Sequence, residues 1–211
     1  MKYEDFKHTP VKGDGSCFFY SVATILLIDK TGKYPDKKSV NSKAKKLRKE
    51  CVEWLKKNLT YKIKGTGFTI QQEIKEDLKY NQNESIKSIK DYLNHMKTPG
   101  AYAGQIEIYA TTNMLKKNLF VYIHNNGVFN NSGLGYQINN KRNIMKDIFI
   151  YHNLGKTENK KSHHFEPLYP KKKLSKLKSL SKKSLSKKSL SKKSLSKKSP
   201  PKRRIKRTKR R

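Results

Sequence analysis

The chain has 211 residues and carries 50 Lys and Arg against 16 Asp and Glu, a formal net charge of +34. Its two cysteines, Cys17 and Cys51, give no disulfide framework, and no apolar run approaches the roughly 20 residues that an α-helical membrane span requires. A disulfide-stapled scaffold and a helical membrane protein are therefore excluded.

The positive charge is uneven. Of the 50 basic residues, 21 fall in Lys171–Arg211, which has no acid; residues 1–170 keep the other 29 against all 16 acidic side chains, or +13. This is the pattern of a moderately basic folded unit, 1–170, followed by a strongly basic tail, 171–211. Met1 to Pro10 is charged and lacks an apolar h-region, so no signal peptide is expected, and a soluble protein in a reducing, intracellular compartment is.

Residues 1–12 read as a leading segment, with Pro10 favouring an extended approach to the turn that follows. That turn, Gly13-Asp14-Gly15-Ser16, opens on Cys17 and the apolar run Phe18 to Leu27, which predicts a buried helix over about Ser16 to Asp29, ended at Thr31-Gly32. A second helix is predicted from Asp36 to Asn58, with Val40, Ala44, Leu47, Cys51, Trp54 and Leu55 forming one apolar stripe. Cys51 lies on that stripe and reads as a core residue.

Two shorter amphipathic patterns follow. Ile70, Ile74 and Leu78 share one face, and from about Ser85 so do Ile86, Ile89, Leu93 and Met96. Thr98-Pro99-Gly100 breaks the run, and Gln105 to Lys117 predicts a further core helix. Asn118 to His124 has strand composition and is closed by a hairpin-type turn, Asn125-Asn126-Gly127; Asp147 to His152 predicts a second strand, with an Asn-rich, loop-containing segment between them. After a hydrophilic loop, Asn153 to Ser162, His163 to Leu168 predicts a closing strand. Helices first and paired strands later give an α+β domain. From Lys171 the composition changes: Ser179 to Lys198 is four copies of Ser-Leu-Ser-Lys-Lys, whose period matches neither helix nor strand, so the tail is expected to be disordered. Its charge would suit an import receptor or a nucleic-acid backbone, and it has no aromatic residue for base stacking.

Cys17 at a helix N-terminus has two readings. Unpaired backbone N–H groups and the helix dipole would favour its thiolate and could hold an oxyanion, as a nucleophile requires; it could equally be a small apolar residue capping a core helix. A nucleophile needs a base, and six histidines are available. His8 and His95 read as solvated, and His124 and His152 as strand-end packing residues. His163 and His164 remain, on a strand whose alternation lets only one of them face a given partner.

Gly13-Asp14-Gly15-Ser16-Cys17-Phe18-Phe19-Tyr20 resembles the cysteine loop of the ovarian tumour (OTU) family of papain-like deubiquitinases, Asp-Gly-x-Cys followed by aromatics. Tyr102-Ala103-Gly104-Gln105-Ile106-Glu107-Ile108 is similar to that family's Trp-Gly-Gly-x-x-Glu-Leu segment, and His164-Phe165-Glu166-Pro167-Leu168 to its C-terminal His-aromatic-x-x-aliphatic strand. The resemblance, in family order over residues 1–170, implies a papain-like OTU fold, a small central sheet flanked by helices. It implies Cys17 as nucleophile, His164 as general base and then acid, and the backbone of Gly15, Ser16 and Cys17 as oxyanion hole. Asp14 matches the family's acidic position, while the residue two after the histidine, Asp or Asn in many members, is here Glu166; the imidazole-orienting role lies open between them. Tyr102 and Ala103 stand where the family has Trp and Gly, and Tyr102, Gly104, Glu107 and His163 are implied substrate contacts. The implied activity is hydrolysis after the C-terminal Gly of ubiquitin or a ubiquitin-like protein, with ubiquitin or polyubiquitin as partner and no cofactor or metal. The alternative is a nucleic-acid-associated basic protein with an inactive domain of this type. A compact domain of this kind beside basic low-complexity repeats also resembles proteins of large DNA viruses.

Overall fold

The apolar run after Gly15 folds as the central helix of the molecule. In the computed structural model, which describes residues 2–80, 85–125, 128–138, 143–153, 156–157, 160–161, 164–177 and 179, α1 (Cys17–Thr31) is enclosed on most faces, with Phe18, Val22, Ile25 and Ile28 fully buried. It stops at Gly32, whose φ of 69° is a left-handed C-cap that glycine adopts without a steric penalty. α2 (Lys37–Lys57) starts where the Asp36 carboxylate accepts the Ser39 N–H at 2.8 Å. It lays Ala44, Leu47, Cys51, Val52 and Leu55 against α1 and the later helices. α3 (Ile70–Tyr80) and α5 (Gln105–Leu115) follow where the apolar pattern predicts them, while α4 (Ile89–Lys97) starts later than the expected Ser85, at the point where the Ser88 hydroxyl accepts the Asp91 N–H at 3.1 Å.

The sheet differs from expectation in where it begins. β1 (Phe6–His8), inside the leading segment, pairs antiparallel with β7 (His164–Pro170). β7 pairs with β4 (Ile148–Asn153), β4 runs parallel to β2 (Leu119–Asn125), and β2 turns into β3 (Val128–Asn131), giving the order β1-β7-β4-β2-β3. β3 occupies part of the Asn-rich segment, and the hydrophilic loop contains a separate two-stranded ribbon of β5 (Lys156–Thr157) and β6 (Lys160–Lys161). These strands are short and polar, so neither alternation nor composition marks them.

Period-2 alternation sorts the sheet residues. Leu119, Val121, Ile148, Ile150, Phe165 and Tyr169 face the helices, while Phe120, Tyr122, Phe149 and Leu168 build a smaller cluster with Phe6 on the other face. Each fully buried large side chain contributes about 1.5–3 kcal/mol. The architecture is α+β. α1 is held to β7 by the Ser21 hydroxyl, which donates to the Phe165 carbonyl at 3.0 Å, and by the edge of Phe18 against Phe165. The start of α1 thereby meets the start of β7.

Residues 171–177 are helical and continue this packing: Leu174 is buried, and Lys173, 2% exposed, lies 2.7 Å from the Asp29 carboxylate at the end of α1. Asp29 also accepts the Tyr169 hydroxyl at 2.6 Å. The boundary expected after residue 170 thus falls within a packed contact, and the Ser-Leu-Ser-Lys-Lys repeats from Leu180 onward lie outside the described residues. Asp29→Ala strands a buried ammonium and a phenol at once, and about 2–3 kcal/mol of lost stability is the expected result in urea unfolding. A loss under about 0.5 kcal/mol would show that this contact does not hold the segment. Among the described residues no helix is long and apolar enough to cross a membrane.

Candidate active site

The turn before α1 is shaped by backbone contact. Gly15 has φ 75°, and a Cβ there would stand 1.8 Å from the Gly100 carbonyl oxygen, so only glycine lets the two loops touch. Asp14 braces the turn: its carboxylate accepts the Ser16 N–H at 3.2 Å and the Tyr20 hydroxyl at 3.3 Å, and pairs with Lys12 at 3.0 Å. Burial raises its pKa, but Lys12, the Ser16 N–H and Tyr20 outweigh burial and hold the carboxyl below its usual range. Under the turn lies Arg48 of α2, 4% exposed. Its guanidinium donates to the carbonyls of Met96 (3.1 Å), Gly15 (3.2 Å) and Ala101 (2.9 Å) and to the Ser16 hydroxyl (3.1 Å), with Phe19 against its face.

Cys17, the first residue of α1, receives the Phe165 N–H on its sulfur at 3.5 Å. That bond joins the start of the first helix to the second residue of β7. The residue before Phe165 is His164, whose Nδ1 lies against the cysteine loop, 3.5 Å from where a Cβ on Gly13 would stand. The opposite ring nitrogen, Nε2, is 3.4 Å from Oε1 of Glu166. The other carboxylate oxygen of Glu166 meets Nε2 of His8. Between the two candidates for an acid at the imidazole, Glu166 is the one in contact; the partners of Asp14 are all in its own loop and α1. A sulfur at a helix start, an imidazole on the adjacent strand and a carboxylate behind that imidazole is an arrangement that can carry acyl transfer through a thioester.

A sequence profile of the family described as OTU-like cysteine protease matches residues 12–165. The chain belongs to the OTU family. The fold of this OTU domain is similar to solved structures at low identity. The viral OTU domain protease from Dera Ghazi Khan virus aligns at TM-score 0.50 and 19% identity over 80% of this chain and 83% of that one. The viral OTU domain protease from Qalyub virus aligns at 0.49 and 18% over 81% and 88%, and the Hazara virus OTU bound to ubiquitin at 0.49 and 13% over 80% and 84%. No curated protein matches the chain.

Three expectations for the OTU site are corrected. Glu107 is 1% exposed; it accepts the Gly104 N–H at 2.8 Å and the Tyr92 hydroxyl at 2.7 Å, so it caps α5 from inside the core and offers nothing to a substrate. Burial pushes its carboxyl up. The Ser16 N–H, expected in the oxyanion hole beside those of Gly15 and Cys17, is engaged by the Asp14 carboxylate at 3.2 Å, which leaves Gly15 and Cys17 of that expected set. His8, expected in solvent, is held against Glu166 with its side chain 28% exposed. His152 is a packing residue, stacked on Phe165 at 4.5 Å, and His95 is exposed. Tyr102 is 63% exposed beside Gly104, and His163 lies outside the described residues. Arg48 escaped the sequence reading, although it stands four residues after Ala44 and four before Val52, a single charge on an apolar stripe. Among the described residues no group of three or more His, Cys, Asp or Glu could hold a metal ion.

The expectation of a thiolate favoured at the helix start is not met in the free protein. Cys17 is 1% exposed, and burial pushes its thiol up more than the N–H groups of Phe165, Phe18 and Cys17 itself pull it down. Because only the thiolate alkylates, and its fraction falls about tenfold for each pH unit below the pKa, the free protein should react with iodoacetamide more slowly than an exposed thiol at pH 7. The rate should climb through pH 9, mapped to Cys17 by mass spectrometry; a plateau below pH 7 would mean an ion pair that overrides burial.

Proposed function

We propose that this OTU protein is a thiol-dependent hydrolase that cleaves the peptide or isopeptide bond after the C-terminal Gly of ubiquitin or a ubiquitin-like protein. The observation that carries the reading is the Phe165 N–H on the Cys17 sulfur, which puts the strand bearing His164 and Glu166 at the start of α1. In this reading the Cys17 proton passes to Nδ1 of His164, and the sulfur attacks the carbonyl carbon. The C–N bond breaks as the imidazolium protonates the leaving amine, and water, deprotonated by the same ring, then hydrolyses the thioester. Glu166 would fix the ring with its Nε2 proton outward and Nδ1 toward the loop. The N–H groups of Gly15 and Cys17 would take the oxyanion.

The test is covalent capture. A ubiquitin carrying an electrophile in place of its C-terminal carboxylate should form one adduct, at Cys17; no adduct with any ubiquitin-like probe, or one that survives Cys17→Ala, removes the reading. Tyr102, exposed on the loop that packs on the cysteine turn, would supply aromatic contact to the incoming chain. Tyr102→Ala is then expected to raise KM about three- to tenfold with kcat unchanged. An unchanged KM would take Tyr102 out of the substrate path.

One observation favours a second reading, an inactive OTU domain in a basic nucleic-acid-associated protein: the sulfur is nearly sealed and its thiol pushed up. Under it, deleting residues 180–211 abolishes function and Cys17→Ala does not.

A further inference from the structure

We propose that His8 is a positioning residue of this site, holding Glu166 so that Glu166 can hold His164; the proposal rests on the reading of Cys17, His164 and Glu166 given above. β1 pairs with β7 so that His8 stands opposite Leu168, two residues along from Glu166 on the same face of the strand. Glu166, with its side chain 9% exposed, lies between two imidazoles. Oε1 faces Nε2 of His164 at 3.4 Å, and Oε2 takes the hydrogen bond from Nε2 of His8. His8 is itself fixed on its far side: its Nδ1 is 3.0 Å from the Tyr3 hydroxyl, and its ring meets Tyr151 edge-on at 5.6 Å.

The physical need for such a group follows from chain length. A glutamate has one more rotatable bond than the aspartate or asparagine a shorter arm would use, and its carboxylate sweeps a wider arc. One long contact to His164 does not fix that arc. A donor on the second oxygen fixes the plane of the carboxylate, and with it the ring nitrogen that carries the proton on His164. Without His8 the Glu166 arm is free to turn, and the proton of His164 is no longer confined to Nε2. Nδ1, the nitrogen on the cysteine loop, then serves as base only part of the time.

Two variants of the full chain separate donor from packing. His8→Phe keeps a ring against Tyr3 and Tyr151 and removes the donor; His8→Gln keeps an N–H near the place of Nε2 and removes the ring. Histidine-labelled protein reports the His164 tautomer in two-bond ¹⁵N–¹H spectra, and hydrolysis of a ubiquitin–fluorophore amide gives kcat and KM. The expected result is Nε2–H on His164 in the parent and in His8→Gln, mixed tautomers in His8→Phe, and kcat lowered about 10–100-fold in His8→Phe alone with KM unchanged. A parent-like tautomer and kcat in His8→Phe, or a loss in His8→Gln, overturns the proposal and assigns His8 to packing. Should His8→Phe fail to fold, His8→Gln decides by itself: parent-like supports the donor role and impaired overturns it. Should the parent fail to cleave any ubiquitin-like amide, the functional reading falls, and the tautomer comparison still decides the placing of His8.

Discussion

Cys17→Ala is expected to lower hydrolysis of a ubiquitin C-terminal amide by at least about 10⁴-fold, while Cys51→Ala leaves kcat within about twofold of the parent. The two thiols are both buried, and what separates them is their surroundings. Cys51 sits on the inner face of α2 with its sulfur against the Glu107 carbonyl and the Thr111 hydroxyl, and complete burial drives its thiol far up. The hydrogen-bond partners of its sulfur are a backbone carbonyl and a hydroxyl, neither of which takes up a proton near neutral pH. Cys17 starts a helix, receives a backbone N–H from β7, and has the imidazole of His164 across the same loop. Removing its sulfur removes the covalent intermediate, not a share of binding, so the loss must appear in kcat and not in KM. His164→Ala should lose nearly as much, and combining the two should lose little more, because the groups act as one unit. Activity that survives Cys17→Ala within tenfold would mean that the bond is cleaved by other groups.

How much of this was legible before folding depends on how each residue announces itself. α1 and α5 are dense in apolar residues on most faces, α2 carries an apolar stripe, and Cys17 and His164 sit in short runs whose glycines and aromatics stand out from a lysine-rich background. β1 does not: Phe6-Lys7-His8 is three residues with a charge in the middle, and it is a strand only because β7 offers it an edge. With β1 unseen, His8 read as a solvated residue, and its contact with Glu166 spans 158 positions that no local pattern connects. Glu107 misled in the opposite way, since its place in a family-like segment suggested an exposed role, while the neighbouring Tyr92, fifteen residues earlier on α4, draws it into the core. The helical segment at 171–177 was hidden by composition, because Lys173 looks like every other lysine around it until Asp29 is opposite. Local pattern thus marks the helices and the runs that hold Cys17 and His164; Arg48 and His8, which pack beside those runs, meet them by long-range contact.

Arg48→Met is expected to cost about 3–5 kcal/mol in stability and, in the fraction that still folds, to lower kcat/KM by about tenfold or more. Methionine keeps much of the arginine stem's volume against Phe19, so the effect isolates the guanidinium. That group satisfies the carbonyls of Gly15, Met96 and Ala101 and the Ser16 hydroxyl in a place water does not reach, and each acceptor left without a donor costs about 1–3 kcal/mol before relaxation. Burial lowers the pKa of Arg48, with the charge of Glu107 opposing that shift. The four acceptors belong to two segments, the turn before Cys17 and the stretch from Met96 to Ala101, which also meet where Gly15 touches Gly100. Cutting the tie lets the cysteine turn move against α2, and a displacement of even an ångström of the sulfur relative to His164 is enough to slow attack. Lysine should rescue neither property, since an ammonium is a single point donor and cannot span two segments as a planar fork does. Urea unfolding of Arg48→Met and Arg48→Lys, with hydrolysis of a ubiquitin–fluorophore amide followed in parallel, measures both effects. If Arg48→Met unfolds within about 1 kcal/mol of the parent, the two loops hold together by their own packing and the guanidinium is not what fixes the nucleophile.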